Sequence, residues 1–189
     1  MNAEAKEINT HIINGLDTDH VTGLAARLME DESYGKFQWR ASNRWVNGAL
    51  SKTSIQGFFA GGEENSDRSK PHFVNADQPE FLGGRNTAPN SVEYVLHALT
   101  SCLTVTLTYH AAVQGIVLGA IETSAEGDHD ARGFFGISDL VKKGYSGIRV
   151  NMRVASQESV ETLTDLAMFS PVFEMISKAL PVEFTLVTN

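Results

Sequence analysis

Apolar and polar positions alternate or recur at helical spacing along most of the chain, and the two patterns divide it into elements. Between Ile148 and Ala155 the residues Ile148, Val150, Met152 and Val154 alternate with Arg149, Asn151 and Arg153, which predicts a strand with the first set facing a core. VEFTLV (182–187) alternates in the same way and predicts a closing strand, and Ile116–Ser124 reads as another. FQWRASNRWV (37–46) and SIQGFF (54–59) are rich in aromatic and β-branched residues, and Asn47-Gly48 between them predicts a hairpin. GGEENSDRSKP (61–71) predicts an exposed loop, with short extended pieces around Phe73 and Phe81.

The longest apolar run predicts a helix with a well-marked start. Pro89 precedes Asn90 as N-cap, Glu93 three residues on completes a capping box, and Gly115 marks the end. Asp17–Glu32, with Leu24, Leu28 and Met29 at helical spacing, predicts a short surface helix. Ser156 can cap a helix running to about Phe169, and Ser170-Pro171 starts another, since serine suits the N-cap and proline the first helical position. Strands, a core helix, then strands and helices again favour an α+β fold over a doubly wound parallel one. One domain is expected over 1–189, with a core at 35–187 and an N-terminal extension at 1–34 that carries the short helix.

Composition narrows the function. Hydrophobic residues at 42% and charged residues at 20% are those of an ordinary globule. Fifteen Lys and Arg against 23 Asp and Glu leave a net charge of −8, which repels phosphate backbones and anionic lipid, so neither nucleic acid nor membrane is expected as a partner. MNAEAKEINTHIING has acidic residues where a signal peptide has a basic start, which predicts a cytoplasmic protein. Ser91–Val113 is long and apolar, but Glu93, His97, His110 and its threonines fit a buried helix of a soluble protein better than a membrane span. Six histidines lie at no ligand spacing, and GxGxxG, P-loop and GxSxG motifs are missing, so no metal or cofactor is expected. Asp128-His129-Asp130 reads as a turn.

The single cysteine, Cys102, falls in the middle of the long helix, where an internal disulfide is excluded and a thiol chemistry is not. At about 100° per residue it shares a face with Ser91, Val95, Ala98, Leu99, Val105, Thr106, Tyr109 and Val113. The plainer reading of so apolar a face is core, with Cys102 as a small buried hydrophobe. Glu93, His97, Thr100, Thr104 and Thr108 lie on the other side, where Glu93 reads as the cap and His97 as a satisfied polar group.

APNSVEYVLHALTSCL, followed by DHDARGFFGI, GYSGIRVNMRVAS and FSPVFEMI in that order, resembles the OsmC/Ohr family over roughly residues 35–187. The resemblance implies an intertwined α+β homodimer with antiparallel sheets wrapped around central helices and active sites at the subunit interface. It also implies reduction of organic hydroperoxides by a helix cysteine, a second cysteine that forms a disulfide with it, and an assisting arginine and glutamate. Cys102 matches the reactive cysteine, while Ser170 stands where the second cysteine would be, placing the chain in a subgroup without it. A serine hydroxyl cannot condense with a sulfenic acid to a disulfide, so an external thiol reductant is implied. Arg44 is the nearest match for the arginine and Arg40 the alternative. The peroxidases' carboxylate position is occupied by Val92, leaving Glu93 next to it as the candidate. An ordinary thiol, with a pKa of about 8.5, needs such a cation to be reactive at neutral pH. The expected function is therefore a one-cysteine peroxidase for organic hydroperoxides. The alternative is a non-catalytic homodimer that keeps the fold to bind a small apolar molecule or to sense thiol modification.

Overall fold

The structure is a computed structural model that describes residues 11–65 and 68–189; the acidic N-terminal run behind the localisation expectation lies outside them. In chain order the elements are β1 (Ile12–Ile13), β2 (Leu16–Asp17), α1 (Thr18–Glu30), β3 (Gln38–Trp39), β4 (Ser42–Asn47), β5 (Leu50–Ile55), β6 (Phe58–Ala60), β7 (Glu63–Asn65) and β8 (His72–Ala76), then α2 (Ser91–Val113), β9 (Ile121–His129), α3 (Ala131–Phe134), β10 (Tyr145–Val154), α4 (Val160–Ala167), α5 (Pro171–Ala179) and β11 (Val182–Thr188). Among the described residues no helix is long and apolar enough to cross a membrane. The chain divides into two compact units, Met1–Leu24 with Ala98–Asn189, and Ala25–His97.

The first unit is built on the sheet β11-β10-β9. Alternation in β10 is realised as expected: Ile148, Val150, Met152 and Val154 are buried, and Arg149, Asn151 and Arg153 point away. β9 pairs antiparallel with β10, whereas β11 pairs parallel with it, because α4 and α5 form a crossover that returns the chain in the same direction. α2 buries Leu99, Leu103, Leu107 and Ala111, a row at four-residue spacing, and the Thr104 and Thr123 hydroxyls, 2.7 Å apart, tie it to β9. Each fully buried leucine contributes on the order of 1.5–3 kcal/mol from burial.

The ends of α2 follow their capping chemistry. The Glu93 amide donates to Asn90 Oδ1 at 2.9 Å and the Asn90 amide to Glu93 Oε2 at 2.7 Å, a complete capping box. At the other end Gly115 has φ +75°, and the Ile116 amide reaches back to the Ala111 carbonyl. Residues 116–120, expected to open a strand, do not. Asn14 donates from Nδ2 to the Ile116 carbonyl and accepts from the Leu118 amide, so an N-terminal side chain occupies the bonds a neighbouring strand would make, and β9 starts only at Ile121.

Other expectations shift by a turn. α4 is capped by Ser159, which accepts from the Thr162 amide, and not by Ser156, whose hydroxyl closes a tighter turn onto the Glu158 amide. Ser170 caps α5 as expected, accepting from the Phe173 amide at 3.2 Å with Pro171 in the first turn. Asp128-His129 extends β9 instead of turning, and Asp130 is the N-cap of α3. α1 runs Thr18–Glu30 with Leu24 and Leu28 half-buried but Met29 exposed.

In the second unit, β4, β5 and β8 form one antiparallel sheet and β3, β6 and β7 another. The Asn47-Gly48 hairpin is present, with Gly48 at φ +56°. Part of the expected 61–71 loop is β7, and Phe81 lies in a single 3-10 turn, not an extended piece. The segment leading to α2 is organised by Asp77, a buried carboxylate that accepts from the Thr87 hydroxyl at 2.7 Å and from the amides of Gln78, Arg85 and Thr87. These donors, the Thr87 hydroxyl first, hold its pKa below the ordinary carboxylate value.

Candidate functional site

Cys102 is half-buried on α2, its Sγ 4.0 Å from Thr106 Oγ1. The reading of its face as core is overturned. The helix buries the Leu99–Leu103–Leu107–Ala111 row, and Cys102 sits at the margin of that row, with Val105, Tyr109 and Val113 53%, 44% and 46% exposed beside it. A thiol bordered by an exposed apolar stripe is accessible to an apolar partner in a way that a core cysteine is not.

Ser170 is fully buried, and its hydroxyl is engaged as the α5 cap. It follows Phe169, whose ring stacks on His110 of α2 at 4.4 Å between centroids, so the α4–α5 junction is held against the helix that carries Cys102. Burial holds the His110 pKa below the ordinary histidine value.

The two arginines named in the sequence differ in their commitments. Arg40 is engaged by Glu64 through both terminal nitrogens, at 2.7 and 2.6 Å. Arg44, on β4, makes no ion pair or side-chain hydrogen bond with a described residue. Its register places it opposite Lys52 on β5. Glu93 spends Oε2 on the capping box.

The second unit also holds a cavity of about 420 Å³ that no motif announces, lined by Asn43, Thr53, Ile55, Val74, Tyr94 and His97 among others. Its residues come from three strands and the first turns of α2, so only the register, which sets Asn43 opposite Thr53 and Thr53 opposite Val74, brings them together.

The family model for OsmC-like protein matches residues 84–185, more than half of the chain. The chain belongs to the OsmC-like family. Solved structures of the family share its fold. An OsmC-like protein from Mycoplasma pneumoniae is 11% identical with a TM-score of 0.60, over 80% of this chain and 96% of that one. An organic hydroperoxide resistance protein OsmC from Legionella pneumophila is 17% identical with a TM-score of 0.53, over 79% and 96%. An organic hydroperoxide resistance protein from Elizabethkingia anophelis is 14% identical with a TM-score of 0.55, over 80% and 96%. At these identities the likeness is one of OsmC fold. No curated relative matches the sequence.

Proposed function

We propose that this OsmC-like protein is a homodimeric, cytoplasmic one-cysteine peroxidase that reduces organic hydroperoxides. The observation that carries the reading is the half-buried Cys102 beside the exposed apolar stripe of Val105, Tyr109 and Val113. In the proposed reaction the Cys102 thiolate attacks a hydroperoxide oxygen. An S–O bond forms, the O–O bond breaks, and the departing alkoxide takes a proton and leaves as the alcohol. Cys102 is left as a sulfenic acid. One external thiol condenses with it to a mixed disulfide and water, and a second releases Cys102 as the thiol. Arg44 is assigned the cation that favours the thiolate, a role supported over Arg40 because Arg40 is already engaged by Glu64. Glu93 is assigned the assisting carboxylate, with one oxygen shared with the cap.

The buried Ser170, its hydroxyl capping α5 where a second cysteine would stand, favours a second reading, a non-catalytic homodimer that binds a small apolar molecule or senses thiol modification. Stopped-flow oxidation by cumene hydroperoxide, followed by intact mass, separates the two. The peroxidase reading expects a rate far above that of free cysteine, slower reaction with hydrogen peroxide, a dimedone-trappable product, and slowing by Arg44→Met. A rate no better than free cysteine overturns it and leaves the binding reading.

A further inference from the structure

One face of the β4-β5-β8 sheet carries a charge arrangement that no other described pair of strands repeats. Arg44 and Lys52 are direct cross-strand partners, and so are Ser42 and Ser54 two pairs along, on the same face. Like charges placed opposite each other in a sheet repel. Among the described residues neither cation is paired with an acid. The strands SNRWVN, LSKTSI and HFVNA contain no Asp or Glu, in a chain where acids outnumber bases 23 to 15. Arg44, Ser42 and Ser54 make no side-chain hydrogen bond or ion pair with any described residue. The Lys52 ammonium is held 4.1 Å from the centroid of the exposed Phe73 ring.

A merely solvated face does not explain the pair. Lys52 lies on the central strand of its sheet, so it is not there to guard an edge. The other large sheet shows how this chain treats a solvated face: Arg149 sits opposite Glu126 and bonds it and Asp128, and Arg153 sits opposite Glu122. The repelling pair of β4 and β5 instead borders a concavity of about 160 Å³ lined by Ser42, Asn43, Arg44, Lys52, Ser54 and Phe73. At about 30 Å³ per water, that is room for one compact headgroup.

We propose that Arg44 and Lys52, with the hydroxyls of Ser42 and Ser54, form a binding site for a small oxyanion, the carboxylate or phosphate group of an organic acid, with Phe73 beside it for the organic part. Arg44 offers a planar fork of donors, Lys52 a second charge, and the two serines neutral donors that can turn toward a bound oxygen. An anion there also removes the repulsion between the two cations, so occupancy and sheet stability rise together. The site does not depend on Cys102 turning over peroxide. Arg44 alone is common to the two proposals, and Lys52 tests this one separately.

The experiment is a two-dimensional NMR titration of the whole protein with inorganic phosphate and, separately, with benzoate, at matched low ionic strength. Saturating shifts are expected at Ser42, Arg44, Lys52 and Ser54, with millimolar affinity. Saturation by phosphate alone identifies a phosphate site, by benzoate alone a carboxylate site, and by both a general oxyanion site. Lys52→Met is expected to weaken binding about tenfold. Lys52→Glu, which gives Arg44 an opposite charge across the strand, should abolish it while raising Tm, so loss of binding is not loss of fold. Arg153→Gln on the other sheet should leave the affinity unchanged. Shifts that do not saturate, that map elsewhere, or that weaken equally with Arg153→Gln would overturn the site.

Discussion

The two large sheets of this protein have three strands each and opposite finish. In β11-β10-β9, β10 buries five of its residues, and its outward arginines each stand opposite a glutamate. In β4-β5-β8 no residue is buried, Trp45 and Phe73 are 72% and 59% exposed, and the cross-strand charged pair is cation against cation. The first sheet satisfies itself within the chain. The second leaves apolar and charged surface uncovered, and the proposed homodimer and the proposed anion are two ways in which such surface could be covered.

The largest effect expected is on assembly. Val105→Asp sets a carboxylate in the exposed stripe of α2, and burying an unpaired charge in an interface costs several kcal/mol, on the order of 3–5. Sedimentation should give about twice the chain mass for the wild type and one chain mass for the variant. A wild type that runs as a monomer removes the homodimer from the comparison. Leu103→Ala, inside the finished unit, is expected to cost about 3 kcal/mol by cavity formation, measured by denaturant unfolding, with secondary structure retained by circular dichroism.

Asp77→Asn probes the segment that launches α2. The change keeps the shape of the side chain but sets an amide donor among the Thr87 hydroxyl and the backbone amides that now donate to the carboxylate. Because the folded pKa of Asp77 is lowered, its contribution is fully present above the unfolded carboxylate value of about 3.9 and is lost as pH falls through the lower folded value. The gap in Tm between wild type and variant should therefore be constant near neutrality and close in acid. Ser170→Ala should cost about 1 kcal/mol as a lost helix cap, with little change in the rate of Cys102 oxidation. A large change in that rate would give Ser170 a part in the chemistry beyond capping.

What could be read in the sequence follows the same division. β10 and the capping box of α2 were legible because their determinants are local: alternate residues facing one core, and an asparagine and glutamate three apart. Residues 116–120 were not, since the side chain that takes their backbone bonds is Asn14, about a hundred positions away. The wheel of α2 correctly grouped Cys102 with Val105, Tyr109 and Val113, but it could not say whether an apolar face is covered by the same chain, and here the covered face is the adjoining leucine row. Arg44 was picked out by resemblance alone. That it faces another cation is a matter of hairpin register, fixed by the irregularity between Trp45 and Asn47, which no composition or spacing encodes.

The finest distinction between the sheets is the sign of a charge deletion. Arg149→Gln takes the cation from Glu126 and Asp128, which are then left as neighbouring like charges, so Tm should fall. The fall should shrink in salt, and it should shrink again as pH drops through the pKa of Asp128, which Arg149 now holds below the ordinary carboxylate value. Lys52→Gln deletes a charge of the same sign, also from the central strand of its sheet, yet relieves Arg44 of repulsion, so Tm should rise, by the equivalent of about 0.5 kcal/mol, and that gain should also fade in salt. Added phosphate should stabilise the wild type and not Lys52→Gln, because only the wild type retains both cations. If the two deletions shift Tm in the same direction, net charge governs both sheets and the Arg44–Lys52 pair carries no local strain. If they shift it in opposite directions, the β4-β5 face is a place where the fold holds two cations together at a cost that an anion can lift.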